Sequence, residues 1–222
     1  MKDNQRGADG HEIALEARQA TDDRLHSPSV ARNWGPIVEA FGELMPVAGH
    51  VLELGSGTGE HAARLCVAYP DLRWQPSDPD ATSRRSIASW ASSIPDGRMA
   101  PPLDIRADDT WWTSQKGPTP DAIVSINMIH IAPWAAAEGL FHGAGQVLAS
   151  GGRVFLYGPF KRHGATAESN LRFDADLKRR NPDWGVRDLD AEIAPLAHAA
   201  GFTHMSVRDM PANNLSVCFV KD

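Results

Sequence analysis

The stretch Val51–Leu65, VLELGSGTGEHAARL, decides how this chain is read. A short apolar run ends on the carboxylate of Glu53 and Leu54, three glycines follow at alternate positions, and helical spacing begins at Glu60. Glycine enters the left-handed backbone region without steric cost, so Gly55, Gly57 and Gly59 predict a strand, a tight turn and a helix.

Working outward, short apolar segments alternate with segments of helical spacing, the pattern of a parallel sheet built from βαβ units. Strands are expected at Val51–Leu54, in LRWQPSD (72–78), in MAPPLD (99–104), in DAIVSINMIHI (121–131) and in RVFLYGPF (153–160). FTHMSVRDM (202–210) and LSVCFVKD (215–222), joined by PANN, read as an antiparallel pair. Seven strands result, of which the last is antiparallel; the two prolines in MAPPLD make it the weakest. Helices are expected over Glu60–Tyr69, Ala81–Ser92, from Pro133 to Leu148, and over Ala191–Ala200 with Pro195 in its first turn. Before the first strand, SPSVARNWGPIVEAFGELMP (27–46) reads as a helix split at Gly35-Pro36, with Ile37, Phe41 and Leu44 on one stripe. Residues 1–26 are polar and expected to be flexible. Residues 27–222 form one domain, and the polar, irregular stretch 161–187 reads as an insertion on the substrate side.

The chain has 222 residues, 42% of them hydrophobic, enough to bury a sizeable core. A net charge of −6 offers no overall field for a nucleic-acid backbone, and no apolar run reaches the roughly 20 residues that span a bilayer. Small-molecule partners, no nucleic acid and no membrane are therefore expected. Cys66 and Cys218 sit far apart in apolar segments and read as small buried hydrophobes. The polar start lacks the apolar core of a secretory signal, so the expected location is cytoplasmic. The nine histidines are scattered and His61 has Leu65 at i+4, so no metal is expected.

Three ligands compete for the glycine turn, beside the possibility that it is a bare turn. A dinucleotide fingerprint needs a third glycine where Glu60 stands, and a diphosphate would meet Glu53 and Glu60 near the helix start. A phosphate-binding P-loop fails because no Gly-Lys-Ser/Thr follows. A ligand that is cationic and free of phosphate turns the carboxylate into an asset, and S-adenosylmethionine (SAM) has that character. Strand, E-x-G-x-G-x-G, helix is the first motif of the class I methyltransferases, which VLELGSGTG resembles. Asp78, at the tip of the second strand, is placed to accept hydrogen bonds from both ribose hydroxyls, although a helix cap or Asx turn in SDPD would also account for it and Asp80 is an equal candidate for that. Asp104, with Ile105 beside it, falls where this fold holds the adenine. Three acids at successive strand ends converge, because open parallel sheets bind ligands beyond the carboxyl ends of their strands.

The chain also resembles a narrower family, domain of unknown function 938 or methyltransferase-like protein 26. The resemblance rests on SPSVARNWGPI, LELGSGTGEHA, WQPSDPD, SIASW, PPLDI, INMIHIAPWAAAEGLFHGA, LYGPF, SNLRFDADLKRRNPDWGVRDLD and MPANNLS, spanning roughly residues 27–220. It implies the Rossmann-like α/β fold of class I methyltransferases and a SAM site, but no acceptor.

The expected donor site comprises Arg32, Asn33, Glu53, Gly55, Ser56, Gly57, Thr58, Gly59, His61, Asp78, Asp104, Ile105, Asn127 and Met128. His130 is the candidate base near neutral pH and Tyr157 a second candidate catalytic group. Phe160, Asn170, Phe173, Trp184, Asn213 and Asn214, with His130 and Tyr157, are the candidate substrate residues. His130 could instead fix the turn into the next helix, and Phe173 and Trp184 could serve only to pack the insertion. The expected function is a SAM-dependent methyltransferase of a small organic molecule, yielding S-adenosylhomocysteine. The alternatives are a SAM-binding protein that transfers nothing and, further off, a nicotinamide-dependent oxidoreductase.

Overall fold

A computed structural model of the chain describes residues 15–109, 111–114 and 117–222. Of the flexible segment expected over 1–26, residues 1–14 lie outside the described residues. Two compact units divide the chain, Met1–Arg106 and Ala107–Asp222.

The first unit begins with a small antiparallel hairpin, β1 (Gln19–Thr21) and β2 (Arg24–His26), which the sequence reading missed. Helix α1 (Pro28–Leu44) runs without a break through Pro36, against the expected split. Proline removes one backbone bond and disturbs the turn before it, at a cost of about 3 kcal/mol. Burial of Val30, Ile37, Ala40 and Phe41 along one stripe offsets that cost. Phe41 packs on Tyr69 and Trp74, with ring centroids 5.7 and 5.9 Å apart. Strand β3 (Ala48–Leu54), helix α2 (Glu60–Ala68) and strand β4 (Asp71–Ser77) follow as a βαβ unit, with β3 and β4 parallel and Leu54 opposite Ser77. Helix α3 (Ala81–Ala91) is capped by Asp80, whose carboxylate accepts from the Ser83 N–H at 2.6 Å.

The expected strand in MAPPLD is reduced to two isolated parallel bridges, Trp74 to Met99 and Ser77 to Leu103. Pro101 and Pro102 have no N–H to donate, so no ladder can run between the bridges. Among the described residues the main sheet accordingly has six strands, where seven were expected.

In the second unit, β5 (Ala122–Ile126) lies parallel to β6 (Arg153–Pro159). β5 is shorter than its apolar run suggests. Asn127 takes a left-handed backbone, φ 62°, and Met128–His130 turn as a 3-10 segment. Helix α4 (Trp134–Val147) buries Ala137, Leu140, Phe141 and Ala144. Helix α5 (Glu168–Arg180) occupies the middle of the stretch read as irregular. A π turn at Leu189–Ile193 feeds α6 (Ala194–Ala199), with Pro195 in its first turn as expected. Strand β7 (Phe202–Met210) and strand β8 (Asn214–Lys221) close the chain. β8 is antiparallel to both β6 and β7, so β7 runs in the same direction as β6 and the last strand alone is reversed. The result is the α/β, Rossmann-like methyltransferase fold, with a mostly parallel sheet.

Candidate functional site

The first unit holds the glycine turn. Gly55, Gly57 and Gly59 all take positive φ, 73°, 59° and 83°. At Gly59 the reason is also steric, because a Cβ there would stand 2.9 Å from the Ile87 Cα on α3. At Gly57 the space is open except for the Arg18 Nη2, 3.6 Å from the same position. Serines fasten the turn. Ser77 Oγ donates to the Glu53 carbonyl at 2.6 Å, the Ser56 N–H donates to the Ser77 carbonyl at 2.8 Å, and Ser86 Oγ donates to the Thr58 carbonyl at 2.7 Å. Such a preset turn faces a ligand with its shape already fixed.

Asp78 lies at the edge of this turn, 8% exposed. One carboxylate oxygen accepts from the Gly57 N–H and the other from the Asp80 N–H, both at 2.9 Å. The second bond is the Asx turn that the sequence allowed, while Asp80 takes the cap. Each oxygen keeps a lone pair for a further donor. Burial pushes the Asp78 carboxyl up to about 6, against the pull of these N–H groups and of Arg18. Arg84 links Asp78 to Asp104: its Nη1 donates to the Asp78 and Pro79 carbonyls at 2.9 and 2.7 Å, and its Nη2 lies 3.0 Å from the Asp104 carboxylate. The Asp78 N–H donates to the Leu103 carbonyl, so the two strand ends do meet. Asp104 is exposed and Ile105 buried.

Glu53 does not stand at the surface of the turn. It is 1% exposed, beneath it, with its Oε2 accepting from Trp74 Nε1 at 3.1 Å. Burial raises its carboxyl to about 7, more than the Ser56 and Trp74 bonds lower it. Glu60 is buried too and paired with Arg64 at 2.7 Å. The acidic rim expected from sequence is therefore largely compensated by arginines and protonation, and repulsion of a diphosphate by Glu53 and Glu60 loses much of its force. Arg32 is exposed and paired with Glu16, through two bonds of 2.9 Å. Asn33 Oδ1 lies 2.9 Å from His61 Nε2, tying α1 to α2. Ser56 and Thr58 are buried in the turn.

In the second unit, Asn127 and Met128 are half-buried after β5. His130 is 1% exposed. Its Nδ1 lies 3.4 Å from the Arg187 N–H, its carbonyl accepts from the Gly185 N–H at 3.0 Å, and its ring meets Phe160 edge-on at 4.8 Å. Burial, helped by the Arg187 charge, drives its pKa down to about 3. The expectation is a base poised near neutral pH; here burial and the Arg187 guanidinium weigh against the protonated imidazole more than the Asp174 charge supports it. The structural alternative fits the geometry: Arg187 also donates to the Ile129 and Ala132 carbonyls, at 3.1 and 2.8 Å, welding the turn to the 183–187 segment. Tyr157 is buried in β6, opposite Ile126 and Ser216.

Four of the candidate substrate residues come together. Phe160, Asn170, Asn213 and Asn214 line one cavity of about 270 Å³ where β6, β8 and the start of α5 meet. Arg162, Ala165, Thr166, Ala167, Asp209, Met210 and Leu215 complete its wall; of these seven the sequence reading had weighed only Arg162, which it favoured as part of a solvated basic loop. Phe173 and Trp184 are half-buried and do not line it. Among the described residues, no group of three or more His, Cys, Asp or Glu could hold a metal ion, and no helix is long and apolar enough to cross a membrane.

Comparison with known proteins places this architecture. The family described as protein of unknown function, DUF938, matches residues 24–221. The chain belongs to the DUF938 family. Similar solved structures include an O-methyltransferase family protein from Burkholderia thailandensis, with a TM-score of 0.73 at 18% identity, covering 87% of this chain and 57% of that one. Human N-acetylserotonin methyltransferase in complex with SAM superimposes with a TM-score of 0.71 at 13% identity, over 87% of this chain and 52% of that one. CalO1, a methyltransferase of calicheamicin biosynthesis bound to S-adenosylhomocysteine, gives 0.67 at 19% identity, over 87% and 54%. This DUF938 chain thus spans a little over half the length of these structures, and at such identity the likeness shows the fold.

Proposed function

We propose that this chain is a SAM-dependent methyltransferase acting on a small organic molecule. The observation that carries the proposal is the Asp78 carboxylate at the rim of the Gly55–Gly59 turn, with each oxygen bonded once to backbone and able to accept once more. A ribose offers two hydroxyl donors at adjacent carbons, which such a carboxylate suits. The open space at Gly57 fits a ligand lying close against the backbone, where any side chain would intrude. The fold of the methyltransferases cited above supports the same reading, as does the sequence likeness to methyltransferase-like protein 26.

In this reading the turn from Gly55 to Gly59, with Ser56 and Thr58, holds the donor, Asp78 orients its ribose, and Asp104 and Ile105 border the base. Within the first unit Asn33 and His61 complete the donor surroundings, and Arg32 stands further out with Glu16; Asn127 and Met128 of the second unit remain proposed donor residues. SAM supplies an electrophilic methyl group on a sulfonium when bound. The chain's own contribution is positioning and exclusion of water, because His130 is held neutral and cannot store a proton at neutral pH. Tyr157 keeps its place as a candidate near the reacting groups. Burial pushes the thiols of Cys66 and Cys218 up to about 12 and about 11, which keeps them protonated and unreactive; a cytoplasmic location without nucleic-acid partners belongs to the same proposal, on the net charge of −6 and the two free cysteines.

The burial of His130 also favours a second reading, a SAM-binding protein that transfers nothing. Incubation of the protein with isotopically methyl-labelled SAM and a metabolite extract separates the two. S-adenosylhomocysteine formation matched by a labelled small molecule is the expected outcome. Donor binding without any labelled product would favour the second reading, and no donor binding would remove both.

A further inference from the structure

The cavity of the second unit carries an acceptor atom whose orientation is dictated by its neighbours. Thr166 Oγ1 donates its proton to the Phe160 carbonyl at 3.0 Å, so it can only accept from Asn170. Asn170 Nδ2 donates one proton to Thr166 Oγ1 at 3.0 Å and the other to the Asn213 carbonyl at 2.9 Å. A flipped amide would set two acceptor oxygens against each other at that second contact, so the flip is disallowed. Asn170 is 5% exposed and lines the cavity, and its Oδ1 makes no hydrogen bond among the described residues.

The remaining polar wall has the same sense. Asp209 is exposed at the cavity. The Arg162 guanidinium gives its Nε and Nη2 to Asp190 at 2.7 and 3.1 Å and meets the Asp209 charge only through space. Asn214 Nδ2 is turned to the Pro211 and Ala212 carbonyls and Asn213 Nδ2 to Ser169 Oγ. Phe160, Met210 and Leu215 supply an apolar wall. Asn170 Oδ1 and the Asp209 carboxylate are thus acceptors on the wall, the Asn213 and Asn214 amides donate within the protein, and the Arg162 charge is paired with Asp190.

We propose that this cavity binds a small molecule through a hydrogen-bond donor carried by that molecule, with an amine as the favoured class because Asp209 adds a negative charge to the wall that Asn170 shares. Its volume, about 270 Å³, falls just below the range of about 300–1,000 Å³ for ligand pockets and suits a single ring with a short substituent. Naming the occupant as the methyl acceptor rests on the proposed methyltransferase reading; the demand for a donor group does not.

The test is nuclear magnetic resonance titration of the full chain, following the Asn170 side-chain amide and the Ala165 and Thr166 backbone amides. The probes are benzylamine, benzamide, benzoate and toluene, which share a ring and differ in what they donate. Benzylamine and benzamide should give saturable shifts at these signals, with affinities about tenfold or more above those of benzoate and toluene. Asp209→Asn, at an exposed position, should weaken benzylamine several-fold and leave benzamide unchanged. Equal or tighter binding of benzoate or toluene, or no shift from any of the four at millimolar concentration, would overturn the proposal. A thermal-shift measurement with SAM on the same sample separates the two ideas: SAM binding with a silent cavity sinks this one alone, and a responsive cavity without SAM binding sinks the methyltransferase reading alone.

Discussion

Replacing Glu53 by glutamine tests whether the glycine turn stands on a carboxyl that holds its proton far above the ordinary range. The native group titrates near 7 where an unperturbed glutamate titrates near 4.5, because it is buried beneath the turn. The folded state therefore binds a proton that the unfolded state releases across that window. Stability from this group is complete below the unfolded value and declines as pH rises, until the folded group also ionises. Integrated between about pH 5 and about pH 8, the loss comes to about 2.5 kcal/mol, most of it by about pH 7. Glutamine has nearly the same volume, carries no charge and can still accept from Trp74 Nε1, so it removes the titration while keeping the bond. Urea unfolding of both proteins at several pH values reads the effect. The variant should gain on the native protein by about 2 to 3 kcal/mol from the acid to the alkaline end. A difference that stays flat with pH would refute the reasoning, since it would mean that the buried carboxyl titrates normally.

Glycine positions give a paired contrast in thermal denaturation. Gly59→Ala should destabilise by about 1–3 kcal/mol through its positive φ and the 2.9 Å approach of Ile87, and by more than Gly151→Ala, which shares the positive φ but has nothing within 4 Å. SAM affinity should fall as pH drops through about 6, because protonation of Asp78 takes away the charge that accepts from ribose; isothermal titration across that range checks it, and a flat profile speaks against the role given to Asp78. Asp174 holds the Val186 N–H at 2.8 Å and Lys178 and Lys161 at 2.8 and 3.2 Å, so Asp174→Ala should cost about 1–3 kcal/mol and strip hydrogen-exchange protection from Val186. Arg172→Ala, which removes an exposed pair with Glu168, should change stability by less than about 0.5 kcal/mol.

The alternation of apolar runs and helical spacing made the βαβ order legible, because both signals are local and strong. The same local view failed where tertiary packing decided. Pro36 is a break by propensity, yet Ile37, Ala40 and Phe41 hold α1 straight through it. MAPPLD looked marginal for a strand, and its prolines leave only two bridges. Helix α5 is poor in apolar residues, so its periodicity is faint, but Glu168 in its first turn and Lys178, Arg179 and Arg180 in its last complement the helix dipole and could have revealed it. The hairpin at 19–26 could not be foreseen from its polar sequence. It depends on distant partners in α3: the Leu25 N–H donates to Ser86 Oγ at 2.8 Å and Arg24 stacks on Trp90 at 4.4 Å. At the candidate site, residue types and strand ends singled out the glycines and Asp78, which share one turn, and four residues that share one cavity. Which acids would be paired was invisible, because Arg84 with Asp104 and Arg64 with Glu60 are facts of side-chain packing. The burial of His130 was invisible for the same reason, since nothing in NMIHI announces that Arg187 and Phe160 will enclose it.

Calorimetric titration of the full chain with SAM, S-adenosylhomocysteine and a nicotinamide dinucleotide, repeated with Asp78→Ala, reaches the central claim most directly. Saturable heats from both sulfur nucleosides, stronger than any from the dinucleotide, and an affinity for SAM reduced about tenfold or more by the substitution are expected. Uptake of the dinucleotide with silence from the sulfur nucleosides, or SAM binding indifferent to the loss of Asp78, would contradict it.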